Sequence, residues 1–154
     1  MANLKSLTIW TIVLNFLILV GAGHGVGFIG LIEIISLIRI LTGQAFGNED
    51  ISFALNSTYE KSLFAVGLFS FIGQLLLLSS LLIKKPDKKD WTKIVGIIFL
   101  WIGFYYLVHN IFQDGLSGVG FFTGLPFFIC SIIIIYRSQR NIFGVDTPEQ
   151  DYEC

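Results

Sequence analysis

Two imidazoles and two carboxylates stand in or beside apolar segments of this sequence: His24, Glu33, His109 and Asp114. Groups of these types can relay protons or hold a divalent metal, because imidazole titrates near neutrality and suits transition metals, and a desolvated carboxyl readily changes its protonation. Two histidines on separate helices can also bracket a haem iron. No H-x-x-x-H or E-x-x-H pattern pins such a site locally, and a ring at the headgroup boundary is the plainer role for His24 and His109, the only histidines in the chain. No cofactor is predicted, with haem or a divalent metal as the alternative. The other polar groups in or beside apolar stretches are Asn15, Arg39, Gln74 and Asn110. Asn15 and Gln74, with Ser70, Ser79 and Ser80, suit hydrogen bonds between helices, and Arg39 suits a helix end from which its guanidinium reaches water. No nucleophile elbow, Walker loop or zincin helix is present, so no residue is assigned a catalytic role.

Gly25, Gly27 and Gly30 satisfy G-x-G-x-x-G within "LNFLILVGAGHGVGFIGLIE". A dinucleotide cradle needs a βαβ unit and a parallel sheet beyond it. The segments that follow are apolar runs of membrane-spanning length, so the match is accidental and the glycines read as a turn between two apolar helices. "GVGFIGL" at 25–31 is echoed by "GVGFFTGL" at 118–125, which suggests one small-residue turn used twice. Gly23 with Gly27, and Gly120 with Gly124, also make G-x-x-x-G patterns that permit close helix contact.

The elements that must position these groups follow from where charge is missing. Hydrophobic residues make up 54% of the chain and charged ones 14%, outside the range of ordinary soluble domains. Ser62–Ile83, Ile94–Phe112 and Gly118–Tyr136 contain no Asp, Glu, Lys or Arg, and Leu7–Gly23 is a shorter run of the same kind. Helices over the three longer runs suffice for a hydrocarbon core about 30 Å thick. The predicted fold is an all-α polytopic membrane helix bundle: one transmembrane domain over 1–140, with spans at 7–23, 62–83, 94–112 and 118–136, and an acidic cytoplasmic tail at 141–154. The segment 26–42 is either an amphipathic or re-entrant helix, the favoured reading, or a fifth span. Glu33, Ser36 and Arg39 recur every third residue there and form one polar stripe. Lys5, the run from Leu7 to Val20 and the small residues after it also resemble a cleaved signal peptide, a third reading.

Basic residues orient the bundle. Lys84, Lys85, Lys88, Lys89 and Lys93 occupy one short segment, and Arg137 and Arg140 follow two spans later. The positive-inside rule puts both on the cytoplasmic face. The Gly43–Glu60 region has acidic residues and no Lys or Arg, which fits the outer side, and its Asn56-Ser57-Thr58 sequon matters only in a eukaryotic secretory setting. With four spans, His24 and His109 share the outer leaflet with Glu33 and Asp114; with five, His24 moves to the opposite face. Trp10, Tyr59, Trp91 and Tyr136 fall near span ends, as interfacial anchors do. Cys130 and Cys154 form no disulfide or metal pattern.

These readings lead to a small integral membrane protein of the cell membrane, an accessory subunit or an oligomeric transport or permeation unit rather than an enzyme. Its expected partners are the lipid bilayer and either further copies of itself or a larger membrane complex, because four helices cannot enclose a wide pore. A membrane-embedded redox protein with His-ligated haem or metal is the alternative. Nucleic-acid binding is disfavoured: the lysine segment is short and balanced by Asp87 and Asp90.

Overall fold

The computed structural model describes residues 4–22, 25–43, 59–109, 111 and 115–143. Among these, five helices and one hairpin follow in order: α1 (Leu4–Phe16), β1 (Leu19–Ala22), β2 (Gly25–Phe28), α2 (Ile29–Leu41), α3 (Tyr59–Leu82), α4 (Pro86–Val108) and α5 (Gly115–Phe143). Three helices are long and apolar enough to cross a membrane, over Ser62–Leu82, Pro86–Val108 and Ser117–Ile142.

The first apolar run behaves differently from the single helix expected over 7–23. Helix α1 stops at Phe16, and the chain turns into an antiparallel hairpin with Leu19 opposite Phe28, Val20 opposite Gly27 and Gly21 opposite Val26. The glycines at 21, 23, 25 and 27 lower helix propensity. In the hairpin, Val20 and Val26 each face a glycine across the ladder, so bulk meets space. The Ile29 amide closes the hairpin base on the Ile18 carbonyl at 2.9 Å. The supposed nucleotide-binding glycines are thus divided between strand β2 and helix α2, without a parallel sheet among the described residues. Nor is the "GVGF" echo structural: its first copy is a strand, its second lies inside α5.

Helices α3 and α4 pack antiparallel at glycine contacts. A Cβ on Gly73 would fall 2.8 Å from the Gly96 carbonyl oxygen, and one on Gly103 would fall 2.9 Å from the Ser70 hydroxyl. Nearer the start of α3, the Ser62 hydroxyl donates to the Tyr106 carbonyl at 3.3 Å. Helix α5 lies against α4 through Trp101, whose indole N–H donates to Ser131 at 2.8 Å, and through Gly120 and Gly124, which face Leu107 and Phe104. The 120/124 glycine pair therefore serves packing, as its spacing suggested. Gly27 lies in a strand, where a helical G-x-x-x-G motif cannot operate.

Helix α4 begins at Pro86, so most of the expected lysine loop is helical. Proline suits the first helical position, where its missing N–H costs nothing, and Asp87 favours the positive end of the helix dipole.

Both short helices bury polar residues and expose apolar ones, α1 as a full inversion of a soluble amphipathic helix and α2 in part. The buried residues of α1 are Thr8, Thr11 and Asn15, while Ile9, Trp10, Val13 and Phe16 are exposed. In α2, Glu33 and Ser36 are buried together with Ile29, Gly30 and Ile32, while Leu31, Ile34, Ile35, Ile38 and Leu41 are exposed. The polar stripe foreseen on α2 thus turns into the bundle.

Candidate functional site

Three polar side chains from three helices meet where α1 ends and α2 begins. Asn15 lies one residue before the end of α1, Glu33 in the second turn of α2 and Gln74 within α3. The Gln74 amide nitrogen donates to Asn15 Oδ1 at 3.0 Å and to Glu33 Oε1 at 2.8 Å. Both hydrogens of the primary amide are thereby used. All three side chains are secluded: Asn15 is 0% exposed, Glu33 4% and Gln74 8%. Asn15 Nδ2, the other end of the amide that accepts from Gln74, is buried without a hydrogen-bond partner.

Each residue is brought there by a packing constraint. Gly30 lies under the Phe16 ring, which allows the start of α2 to approach the end of α1. Gly67 faces Ser36 and the Ile32 carbonyl, so α2 rests on the α3 backbone and Glu33 comes within reach of Gln74. The hairpin is fixed by α5: the Leu19 amide donates to Thr123 Oγ1 at 3.1 Å, and the Thr123 hydroxyl donates to the Val119 carbonyl at 2.9 Å. The Leu19 carbonyl lies against Gly120, nearer the start of α5, so β1 runs toward that end. Helix α2 runs the same way, since Glu33 meets Gln74 whereas Ser36 abuts Gly67, seven residues closer to the start of α3. Strand β1 and helix α2 therefore run toward the same end of the bundle.

A second buried polar cluster joins α4 to α5 at the lysine end. The Lys93 ammonium contacts Asp90 Oδ1 at 2.6 Å, the Ser138 hydroxyl donates to the same oxygen at 3.5 Å, and Asn141 Nδ2 donates to Asp90 Oδ2 at 3.1 Å. Lys93 is 1% exposed, so this member of the basic segment is an internal partner rather than a surface charge.

The four residues singled out for chemistry are not assembled by the described part of the chain. Glu33 belongs to the Asn15–Gln74 cluster. His109 caps the end of α4, and its Nδ1 lies 2.9 Å from the Tyr106 carbonyl, which can only accept, so Nδ1 carries the proton. Tyr106 is level with Ser62, and twelve residues of α3, about 18 Å of helix rise, separate Ser62 from Gln74. His24, Asn110 and Asp114 lie outside the described residues, as does the sequon, and a site shared by the two histidines is proposed no further. Arg39 is half-buried near the end of α2, away from the cluster. Among the described residues no three of His, Cys, Asp or Glu are grouped to hold a metal.

Reading along the chain missed the grouping of Asn15, Glu33 and Gln74, although it marked all three. Gln74 lies 59 residues from Asn15 and 41 from Glu33, beyond any local spacing rule. The Asp90–Lys93 pair carried a usable signal, an i, i+3 acid–base spacing at the start of a helix.

The class so defined is a helical bundle with three helices of membrane-crossing length and a secluded carboxyl–amide cluster at a chain interruption. Comparison with known protein families, with characterised proteins and with solved structures finds no match to this chain.

Proposed function

We propose that this is a small multi-pass protein of the cell membrane that acts as a non-enzymatic transport or permeation unit, working as an oligomer or with a larger partner. In this reading the chain crosses four times. The first crossing is made jointly by α1 and α2, each 13 residues and about 20 Å long, with the hairpin between them. The lysine segment and the carboxyl-terminal tail face the cytoplasm. The observation that carries the reading is the buried Asn15–Glu33–Gln74 cluster at the junction of the two half-helices. Broken helices in transporters place polar groups at membrane depth for the species they carry, and intramembrane carboxyls are costly enough to mark function. The outward apolar faces of α1 and α2 support contact with lipid.

The test is reconstitution of the full chain in proteoliposomes loaded in turn with dyes for sodium, potassium and protons. Flux above that of empty vesicles, reduced in Gln74→Leu, is the expected result. A folded protein that moves none of these ions would overturn the reading in favour of an accessory subunit. A visible haem spectrum would turn it toward redox chemistry.

A further inference from the structure

Among the described residues two carboxylates are buried, and they are treated in opposite ways. Asp90 is saturated, with an ammonium on one oxygen and an amide on the other. Glu33, equally secluded, receives one amide hydrogen from Gln74 and forms no ion pair among the described residues. Beside it, on the same Gln74 amide, sits Asn15, whose Nδ2 is wholly buried and unpartnered. A buried donor left unpaired is costly and calls for an acceptor. That requirement excludes a bare metal cation at the Asn15 nitrogen, because a cation repels a donor. A water molecule satisfies it, since water accepts from Nδ2 and has hydrogens left for a carboxylate oxygen.

We propose that Glu33 is a proton-exchanging carboxyl, paired with a water molecule held by the Asn15 amide, so that the interruption between α1 and α2 is a proton site. The step is a transfer between oxygens: the Glu33 carboxylic acid gives its proton to the water, leaving carboxylate and hydronium, and the reverse step reloads it. The surroundings suit such exchange. Helix α3 carries no charged residue from Ser62 to Leu82. On α1, Lys5 stands ten residues, about 15 Å of rise, from Asn15. On α2, Arg39 is six residues, about 9 Å of helix rise, beyond Glu33, at the far end of the polar stripe. Strand β2, which meets the start of α2, contributes only Gly25, Val26, Gly27 and Phe28. Among the described residues, no fixed charge on these elements pairs with Glu33.

The inference rests on the transport reading, yet its test stands apart from flux. Infrared difference spectra of the intact protein in lipid nanodiscs, recorded through a pH series, report protonated carboxyls by their carbonyl stretch. The expected result is a titrating band that vanishes in Glu33→Gln, which keeps the side chain's shape and an acceptor oxygen. The band should move in heavy water and change frequency in Asn15→Leu. A spectrum with no band lost in Glu33→Gln, or a band indifferent to heavy water, overturns proton exchange. A band unmoved in Asn15→Leu overturns the water's place. In proteoliposomes, sodium or potassium flux together with proton flux unaltered by Glu33→Gln would defeat this inference and leave the transport reading intact. A titrating Glu33 band in a protein that conducts nothing would do the reverse.

Discussion

Gln74 shows how much one side chain can hold when its partners are distant in sequence. Its amide nitrogen ties α3 to α1 and to α2 at once, so replacing it with leucine leaves two buried acceptors unpaired. Hydrogen bonds within membrane bundles average about 0.6 kcal/mol by double-mutant cycles, with a maximum near 1.7. Gln74→Leu should therefore lower stability by about 1–3 kcal/mol in a denaturation titration, and an Asn15→Leu, Gln74→Leu cycle should return a coupling of about 1 kcal/mol. Additive effects would mean that the two amides do not interact. Lys93 makes the complementary case. Removing Asp90 alone strands a buried ammonium, at a cost of about 3–5 kcal/mol, whereas Asp90→Leu combined with Lys93→Met removes both charges. The double variant should melt above the single Asp90→Leu variant, and the opposite order would show that the pair is dispensable.

At the scale of elements, the long helices were legible and the interruption was not. Charge-free runs of 19–22 residues leave the chain few alternatives, and α3, α4 and α5 cover most of each. The run Leu7–Gly23 is equally apolar, but a short apolar stretch reads alike as strand or helix. What decides there is tertiary: Leu19 finds a hydroxyl on Thr123, 104 residues away. Likewise the stripe of Glu33, Ser36 and Arg39 was visible in the sequence, but not that Gln74 would receive it on the inner side. In α4, Pro86 and Asp87 marked a helix start inside what composition alone suggested was a loop. The hairpin's dependence on α5 gives a direct test. Thr123→Val keeps the shape and removes the acceptor, so the Leu19 N–H loses its partner. Its hydrogen exchange should quicken about tenfold, equivalent to roughly 1.4 kcal/mol of local opening, while amides in α3 keep their rates. Unchanged exchange at Leu19 would show that Thr123 does not secure the strand.

Over the whole molecule, the direction of each element decides which ends of the chain share a face. Helices α3 and α4 run antiparallel, and both β1 and α2 advance toward the end marked by His109. If α1, the hairpin and α2 together make one crossing, Lys5 lies on the same side as Lys84, and Thr42 lies on the side of His109. If α1 and α2 cross separately, Lys5 moves to the side of Thr42 and position 24 moves to the side of Lys84. Positions 42, 84 and 109 are placed alike by both arrangements and serve as internal standards; positions 5 and 24 decide. Single cysteines at these five positions, in a background lacking Cys130 and Cys154, can be challenged with an impermeant thiol reagent on intact cells and again after permeabilisation. The expected pattern is labelling of 24, 42 and 109 from outside, with 5 and 84 reached only after permeabilisation, as the positive-inside rule predicts when seven of the ten basic residues lie in the lysine segment and the Arg137–Arg140 segment. Labelling of position 5 from outside, with 24 protected, would establish two separate crossings and put the two histidines about 25–30 Å apart. That result would also separate the half-helices at the Asn15–Glu33 junction, and the transport reading would lose the broken helix on which it depends.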